Sequence, residues 1–408
     1  MKVLFLASYF PKPDNPLMGT WALCQAQAFV RQGIDLKVLS FTSWVPQPLA
    51  LSSGAKAYAN CPTEHTWEGN VHVSYPRWGY YPINPIKRWS YSNPEPYLSF
   101  AFQTAKKRLI AEIESFNPDV IFCHHSVPNA WMMAQLPEKY RRPMFTLEHD
   151  FEEIADCTQL PKRHAAYKTA LSATTALLAV SKPMEADMRR LFPEQRIFTH
   201  HNGINIEPVP DTLQRPPELQ DKFVFLACAL FAPRKGMPLL VRAFGAIASQ
   251  YPHAILRIIG GGPEEELVKA TVDELGLHEQ VQLLGKKTHD VVLQEMHLAD
   301  CFSLVGWNEP FATVYLEAMA AGKPIICCSD GGITDVVAHH QEAFIVPPRN
   351  EAAATEALKF MLDHPDNVRE MGANAKQLIE QKLTWDVKTQ ELIDHFETAL
   401  ENADLTCC

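Results

Sequence analysis

A chain of 408 residues exceeds what one hydrophobic core usually organises, so two domains are expected. Apolar residues at 47% and charged residues at 21% are ordinary for a soluble globular protein. The formal net charge of −10 argues against nucleic acid as the principal partner, because phosphate binding needs a basic excess.

The opening residues, MKVLFLASYF, carry one Lys and an apolar run that stops at Tyr9-Phe10-Pro11. That run is too short for a signal peptide and is read as the first strand, Lys2–Ala7. Further strands are predicted at 35–40, 71–75, 119–123, 143–147, 176–180 and 197–200, with amphipathic helical patterns at 21–32 and 99–115. A Pro-rich stretch at 207–217 marks the expected domain boundary. The rhythm then restarts, with strands predicted at 223–229, 255–260, 281–285, 301–305, 324–328 and 343–346. Apolar strands separated by helices imply two doubly wound α/β domains, each with a parallel sheet and each taking ligands beyond the carboxyl ends of its strands. A last helical pattern at 384–402, with Trp385, Leu392, Ile393 and Phe396 on one side, either completes the second domain or crosses back to the first. The tail 404–408 is expected to fray.

No stretch reaches the length that spans a bilayer. The ten cysteines show no Cys-x-x-Cys spacing, and Cys123, Cys228, Cys301, Cys327 and Cys328 fall in apolar runs. That pattern reads as reduced, buried thiols in a cytosolic protein. No Asp-x-Asp pair occurs, and the three His-His dipeptides (124/125, 200/201, 339/340) lack ligand spacing, so no metal site is expected.

Chemistry concentrates at strand ends. In the segment 309–324, EPFATVYLEAMAAGKP, a strand ending near Val305 feeds a short loop and then a helix. A helix start there offers backbone N–H groups and a positive dipole end to a phosphate. Glu309 lies at the loop end and Glu317 about two turns on, where carboxylates can accept from sugar hydroxyls. Spacing alone is equally met by one capping and one solvated glutamate. Lys235 follows a strand and opens a helix, a natural place for a diphosphate partner, although a solvated surface Lys fits the same position. The run Gly260-Gly261-Gly262-Pro263 does not complete a dinucleotide fingerprint, because Glu265 occupies the sixth position. It and the segment 281–286, which contains Leu284, are either nucleotide-facing or tight-turn architecture.

In the first half, Gly19 beside a predicted helix start lets a backbone approach a ligand closely. His149 ends a strand, which raises it above the usual structural histidine, and His124 is a lesser candidate of the same kind. Asn202-Gly203 reads as a turn and hinge. The stretch 75–81 through 86–89 interleaves aromatic and basic residues, among them Trp78 and Trp89, in what reads as a Pro-rich loop. Such a loop suits a ligand-lining wall or the headgroup region of an anionic bilayer, and simple packing accounts for it equally well.

The spacing Glu309-x7-Glu317 resembles the E-x7-E motif of the retaining glycosyltransferases of family 4, which have the GT-B fold. The following Glu317-Ala-Met-Ala-Ala-Gly-Lys-Pro, then Ser329-Asp330-Gly331-Gly332-Ile333 and Val346-Pro347-Pro348, resemble that family in order and spacing. Lys235 matches the Lys of its R-L-x-x-x-K-G element. Two departures are visible: Leu230 stands where the family has Arg, with Arg234 as a substitute cation, and Ala312 replaces the second Gly of E-G-F-G.

The resemblance implies a GT-B architecture, with two Rossmann-like domains facing across a cleft. Residues 1–205 would bind the acceptor, 206–383 the nucleotide sugar, and 384–408 would form the terminal helix. It implies His149, Lys235 and Glu309 as catalytic residues. Gly19, Arg234, Lys235, Gly261, Leu284, Glu309, Phe311, Ala312, Thr313 and Glu317 would surround a UDP- or GDP-linked donor. His124, Trp78 and Trp89 stand for the acceptor, a saccharide or lipid-linked saccharide. The expected enzyme is retaining, metal- and cofactor-independent and cytoplasmic, with a peripheral contact to the inner face of the membrane and closure around a hinge at 202–217. Two readings stay open beside it: another enzyme on the same architecture, such as a sugar-nucleotide epimerase or phosphorylase, and a catalytically silent sugar-binding protein.

Overall fold

The computed structural model describes residues 1–80, 86–209 and 212–406. Tyr81 of the aromatic-basic stretch, Pro210 and Asp211 of the linker, and the tail residues Cys407 and Cys408 lie outside the described residues. The chain packs as two compact units, one made of Met1–Gly203 with Trp385–Cys408, the other of Ile204–Thr384.

The first unit is built on β1 (Lys2–Ala7), β2 (Asp35–Leu39), β3 (Thr42–Ser43), β4 (Glu64–Trp67), β5 (Val71–Ser74), β6 (Arg77–Trp78), β7 (Val120–His124), β8 (Met144–Glu148), β9 (Ala176–Ala179) and β10 (Ile197–Thr199). Eight of these form a sheet in the order β10-β9-β8-β7-β1-β2-β5-β4. Val3 through Ala7, Val120 through Cys123 and Met144 through Glu148 are buried throughout, which is why the first two read as unbroken apolar runs and the third is interrupted only by Thr146 and Glu148. The sheet is not wholly parallel: β4 runs antiparallel to β5 at one edge. Its residues alternate between exposed and half-buried, so no apolar run announced it. β3 and β6 pair separately, Thr42 with Arg77 and Ser43 with Trp78.

The stretch read as a loop is therefore partly structured. After β6 the chain forms the helix Ile86–Ser92, and Pro94 then opens the long helix Pro94–Phe116. Proline at the first turn gives up only an amide that the helix would leave unpaired.

The terminal helix Trp385–Thr406 belongs to the first unit. Phe396 is fully buried, its ring 4.7 Å from Phe145, 5.9 Å from Phe122 and stacked 6.0 Å from Phe29 of the helix Thr20–Arg31. Arg31 meets Asp386 at 2.7 Å. Gly203 lies where the chain passes this helix: a Cβ there would sit 2.7 Å from the Trp385 backbone.

The second unit carries β11 (Phe223–Leu230), β12 (Ala254–Gly261), β13 (Val281–Gly285), β14 (Cys301–Ser303), β15 (Ile325–Cys328) and β16 (Ala343–Val346). They form one parallel sheet in the order β13-β12-β11-β14-β15-β16. The helix Thr313–Ala320 is tied to the end of β14 by Tyr315, whose hydroxyl donates to the Leu304 carbonyl at 2.6 Å. Both sheets have a switch point, between β1 and β7 in the first and between β11 and β14 in the second. There the loops beyond neighbouring strands diverge and leave a crevice.

Candidate active site

In the second unit the crevice is formed by the loops after β11 and β14. Pro233–Lys235 makes a short 3-10 turn after β11, and Gly236, at φ 65°, starts the helix Met237–Ala248. This turn aims two cations at one carboxylate. Arg234 Nη1 lies 2.8 Å from Glu309 Oε1, and Lys235 Nζ lies 2.7 Å from the same carboxylate. Glu309 is only 4% exposed. Its own loop is pinned, because its carbonyl accepts from Gly332 N at 2.8 Å and the neighbouring Asn308 N donates to Asp330 at 3.2 Å. Burial pushes the Lys235 ammonium down, against the upward pull of Glu309.

Glu317 projects from the helix Thr313–Ala320 and meets His289 Nε2 at 3.1 Å, a partner the sequence did not suggest. That hydrogen bond holds the His289 imidazole above its usual range. Phe311 is buried, and Ala312 and Thr313 are half-buried at the helix start. Gly261 closes β12 and accepts from Phe231 N, while Leu284 is half-buried in β13. Leu230, in place of the expected Arg, is 59% exposed. The substitute cation Arg234 is thus the one brought to Glu309.

In the first unit the switch-point crevice gathers histidines. His149 follows β8, with its ring 4.5 Å from that of His124, 5.5 Å from His125 and 6.0 Å from Trp21. His125 follows β7 at φ 64°, a left-handed conformation uncommon for histidine, and its Nδ1 lies 3.5 Å from Glu148 Oε2. Burial alone would push His125 down, but the Glu148 carboxylate outweighs it and holds the imidazole up. Burial lowers His149 and His124 well below the usual range. The Nε2 atoms of His125 and His149 are sealed from solvent without a hydrogen-bond partner among the described residues.

Among the expected first-unit residues, His124 needs correction, and Trp78 and Gly19 each carry a packing role as well. His124 is only 1% exposed and its Nε2 contacts Gln25 Oε1 at 2.8 Å, so it stands behind His149 and offers no open face to an acceptor. Trp78 belongs to the core, packed against Phe41 and Tyr80 with 3% exposure, although its edge reaches a cavity. Gly19 is required by packing: at φ 77° it caps the helix Thr20–Arg31, and a Cβ would fall 2.3 Å from the Tyr9 carbonyl. Trp89, by contrast, is half-exposed on the helix Ile86–Ser92.

A family model described as Glycosyl transferases group 1 matches residues 210–378, and one described as Glycosyltransferase Family 4 matches residues 18–208. The chain is a glycosyltransferase of this type. An uncharacterised glycosyltransferase of Methanocaldococcus jannaschii is 25% identical over 79% of this glycosyltransferase and 85% of that protein. The lipopolysaccharide core biosynthesis glycosyltransferase LpsD of Rhizobium meliloti is 26% identical over 72% and 79%. Among solved structures, sucrose-phosphate synthase from Thermosynechococcus elongatus superposes with a TM-score of 0.77 at 18% identity, over 98% of this chain and 100% of that one. HepE of Anabaena, solved with UDP-glucose, gives 0.69 at 18% identity, also over 98% and 100%. At such identities the structures show the fold, which is GT-B.

Sequence reasoning missed His125, Glu148 and His289 in this glycosyltransferase. His124 stands among the candidates by its strand-end position, whereas His125 enters only through a dipeptide without metal-ligand spacing. Its position directly after a buried strand was the usable signal. Nothing in the sequence marked Glu148, whose carboxylate is fully buried at the end of β8 and accepts from Ser126 N.

Proposed function

We propose that this glycosyltransferase moves a sugar from a UDP- or GDP-linked donor to a hydroxyl of a saccharide or lipid-linked acceptor, with retention at the anomeric carbon. The observation that carries the reading is the pair of cations, Arg234 and Lys235, converging on buried Glu309 at the switch point of the second unit. The costly event is departure of the nucleoside diphosphate from an oxocarbenium-like carbon. Preorganised cations on the leaving phosphates lower that barrier. The donor's C1–O bond to phosphate breaks, a C1–O bond to the acceptor forms on the same face, and the acceptor's proton leaves with the phosphate. When the diphosphate engages Lys235 and Arg234, Glu309 is released to accept from the donor sugar's hydroxyls. Glu317 takes the ribose hydroxyls from the helix two turns away. His149, held neutral by burial, meets the sugar through one ring nitrogen.

HepE is described with UDP-glucose, and a mycobacterial relative, 28% identical over 45% of this chain, is named a GDP-mannose-dependent mannosyltransferase, which supports both donor bases. LpsD's role in lipopolysaccharide supports a cell-surface acceptor. Exposed Lys87 and half-exposed Trp89 on the helix Ile86–Ser92 favour a peripheral contact with a membrane carrying that acceptor. Because two side-chain cations already stand at the diphosphate position, transfer is expected to persist in EDTA. Loss of activity in chelator, restored by Mg or Mn ions, rejects metal independence.

A thermal-shift panel of UDP- and GDP-sugars tests the reading, since a ligand of the native state raises Tm by mass action. A shift with one donor that vanishes in Lys235→Ala is the expected result. No shift with any nucleotide sugar or nucleoside diphosphate overturns it.

A further inference from the structure

The first unit contains a cavity of about 500 Å³ beside the loops that follow β1, β7 and β8. Its size falls in the range of small-molecule sites. One wall is aromatic, with Tyr9, Phe41, Trp78, Tyr80 and Tyr91 among its lining residues. The lining also brings three carboxylates, Asp150, Glu152 and Glu153, from the segment directly after His149. Aromatic faces suit the C–H face of a sugar ring, and ionised carboxylates, which only accept, suit its hydroxyl edge.

The cations that could welcome an anion are largely committed. Arg163 lines the cavity but is 3% exposed. Its Nη2 meets Glu153 Oε2 at 2.7 Å, its Nη1 donates to the Tyr91 carbonyl at 3.2 Å, and its guanidinium lies 4.1 Å from the Tyr91 ring centre. At the start of the short helix Phe151–Ala155 two amides are already taken, because Asp150 Oδ1 accepts from Glu152 N at 2.9 Å and Glu153 N at 3.3 Å. The other lining cation among the described residues is Lys87, exposed at the rim and outnumbered by Asp150 and Glu152.

We propose that this cavity takes the acceptor as a sugar unit without an anionic group, and that Asp150 and Glu152 are the specificity residues that turn sugar phosphates away. A phosphate presents only acceptors and negative charge to groups that are themselves acceptors and negative. It gains no hydrogen bond and meets like-charge repulsion in a partly enclosed space. The proposal rests on reading the chain as a glycosyltransferase whose first unit binds the acceptor.

The test uses the full chain and saturation-transfer NMR, with UDP or GDP present and absent. The probes are glucose, mannose, galactose, glucosamine and N-acetylglucosamine, each against its own 6-phosphate. At least one sugar is expected to bind, with its phosphate at least about ten-fold weaker. Asp150→Asn with Glu152→Gln keeps the helix cap and should shrink that ratio by several-fold. Tyr9→Ala, at a 48% exposed residue of the aromatic wall, should abolish sugar binding with thermal unfolding little changed. A 6-phosphate that binds as well as its parent sugar, a ratio unmoved by the double substitution, or no sugar bound under any condition overturns the proposal. Nucleotide-sugar stabilisation is measured separately. A chain that is stabilised by a donor yet binds no free sugar keeps the transferase reading and loses this one.

Discussion

At the scale of single residues, the ion cluster in the second unit poses a competition. Glu309 pairs with both Arg234 and Lys235 and offsets one of their two charges, and on the proposed reading a donor diphosphate takes those cations from it. Lys235 is largely buried, so its charge acts in a medium where it is weakly screened, and burial already lowers its ammonium. Replacing it removes one preorganised contact at a developing anion, worth about 3 kcal/mol, or two to three orders of magnitude in rate. Lys235→Ala should therefore cut kcat to that degree with little change in Tm, because the carboxylate keeps Arg234. Steady-state rates and a thermal melt on the same preparation check both halves, and near-normal turnover would remove Lys235 from the mechanism. The identities of Lys235 and Glu309 were legible, since each stands at a strand-to-helix turn inside a recognisable motif. Their direct contact was not, because it joins residues 74 positions apart. For His125 the position after a buried strand was legible and the contact with Glu148 was not. Its left-handed backbone lies beside Glu148, and no pattern of residue types encodes that turn.

At the scale of elements, strand positions followed from unbroken apolar runs, and the parallel core strands lie within a residue or two of where those runs place them. β4 escaped because one side of an edge strand faces solvent. β3 and β6 escaped because two residues carry no period. The terminal helix illustrates how a pattern can fix an element and leave its partner open. Trp385, Leu392, Ile393 and Phe396 announced a buried face, and only the packing shows that Phe29, Phe122 and Phe145 receive it. Phe396 is fully buried among those rings, so Phe396→Ala loses both transfer energy and packing, about 3–5 kcal/mol. The loss should fall on the first unit. Hydrogen exchange is expected to rise at Thr20–Arg31 and in β7 and β8, and to stay unchanged in β11 and β12 of the second unit. Equal loosening of both units, or none, would contradict the assignment of this helix to the first.

At the scale of the whole molecule, the restart of the strand–helix rhythm after the Pro-rich stretch made two units legible. The passage of the chain from Thr384 in the second unit to Trp385 in the first was left open, because helical periodicity says nothing of which sheet a helix covers. The histidines carry a consequence for the entire chain. Burial lowers His124, His149 and His200 well below their ordinary range, and lowers His297, His339 and His395 as well. At about pH 6 each of these is more protonated in the unfolded chain, where an imidazole titrates near 6.5. Unfolding then takes up protons, and their contribution to stability falls as pH drops below about 6.5 toward the lowered folded values. His125 and His289 run the other way: raised in the folded state, they contribute stability that is present below about 6.5 and is lost as pH rises through their folded values. Glu153, raised mainly by burial, likewise releases rather than takes up protons on unfolding. Six lowered imidazoles outweigh these three groups, so the net expectation at pH 6 is proton uptake. Calorimetric unfolding in two buffers of different ionisation enthalpy reads the number directly. A positive uptake that shrinks between pH 6 and pH 7 is expected, with Lys12, lowered by burial to about 8, adding its own uptake above that range; net release at pH 6 would mean that the buried histidines are charged in the native protein.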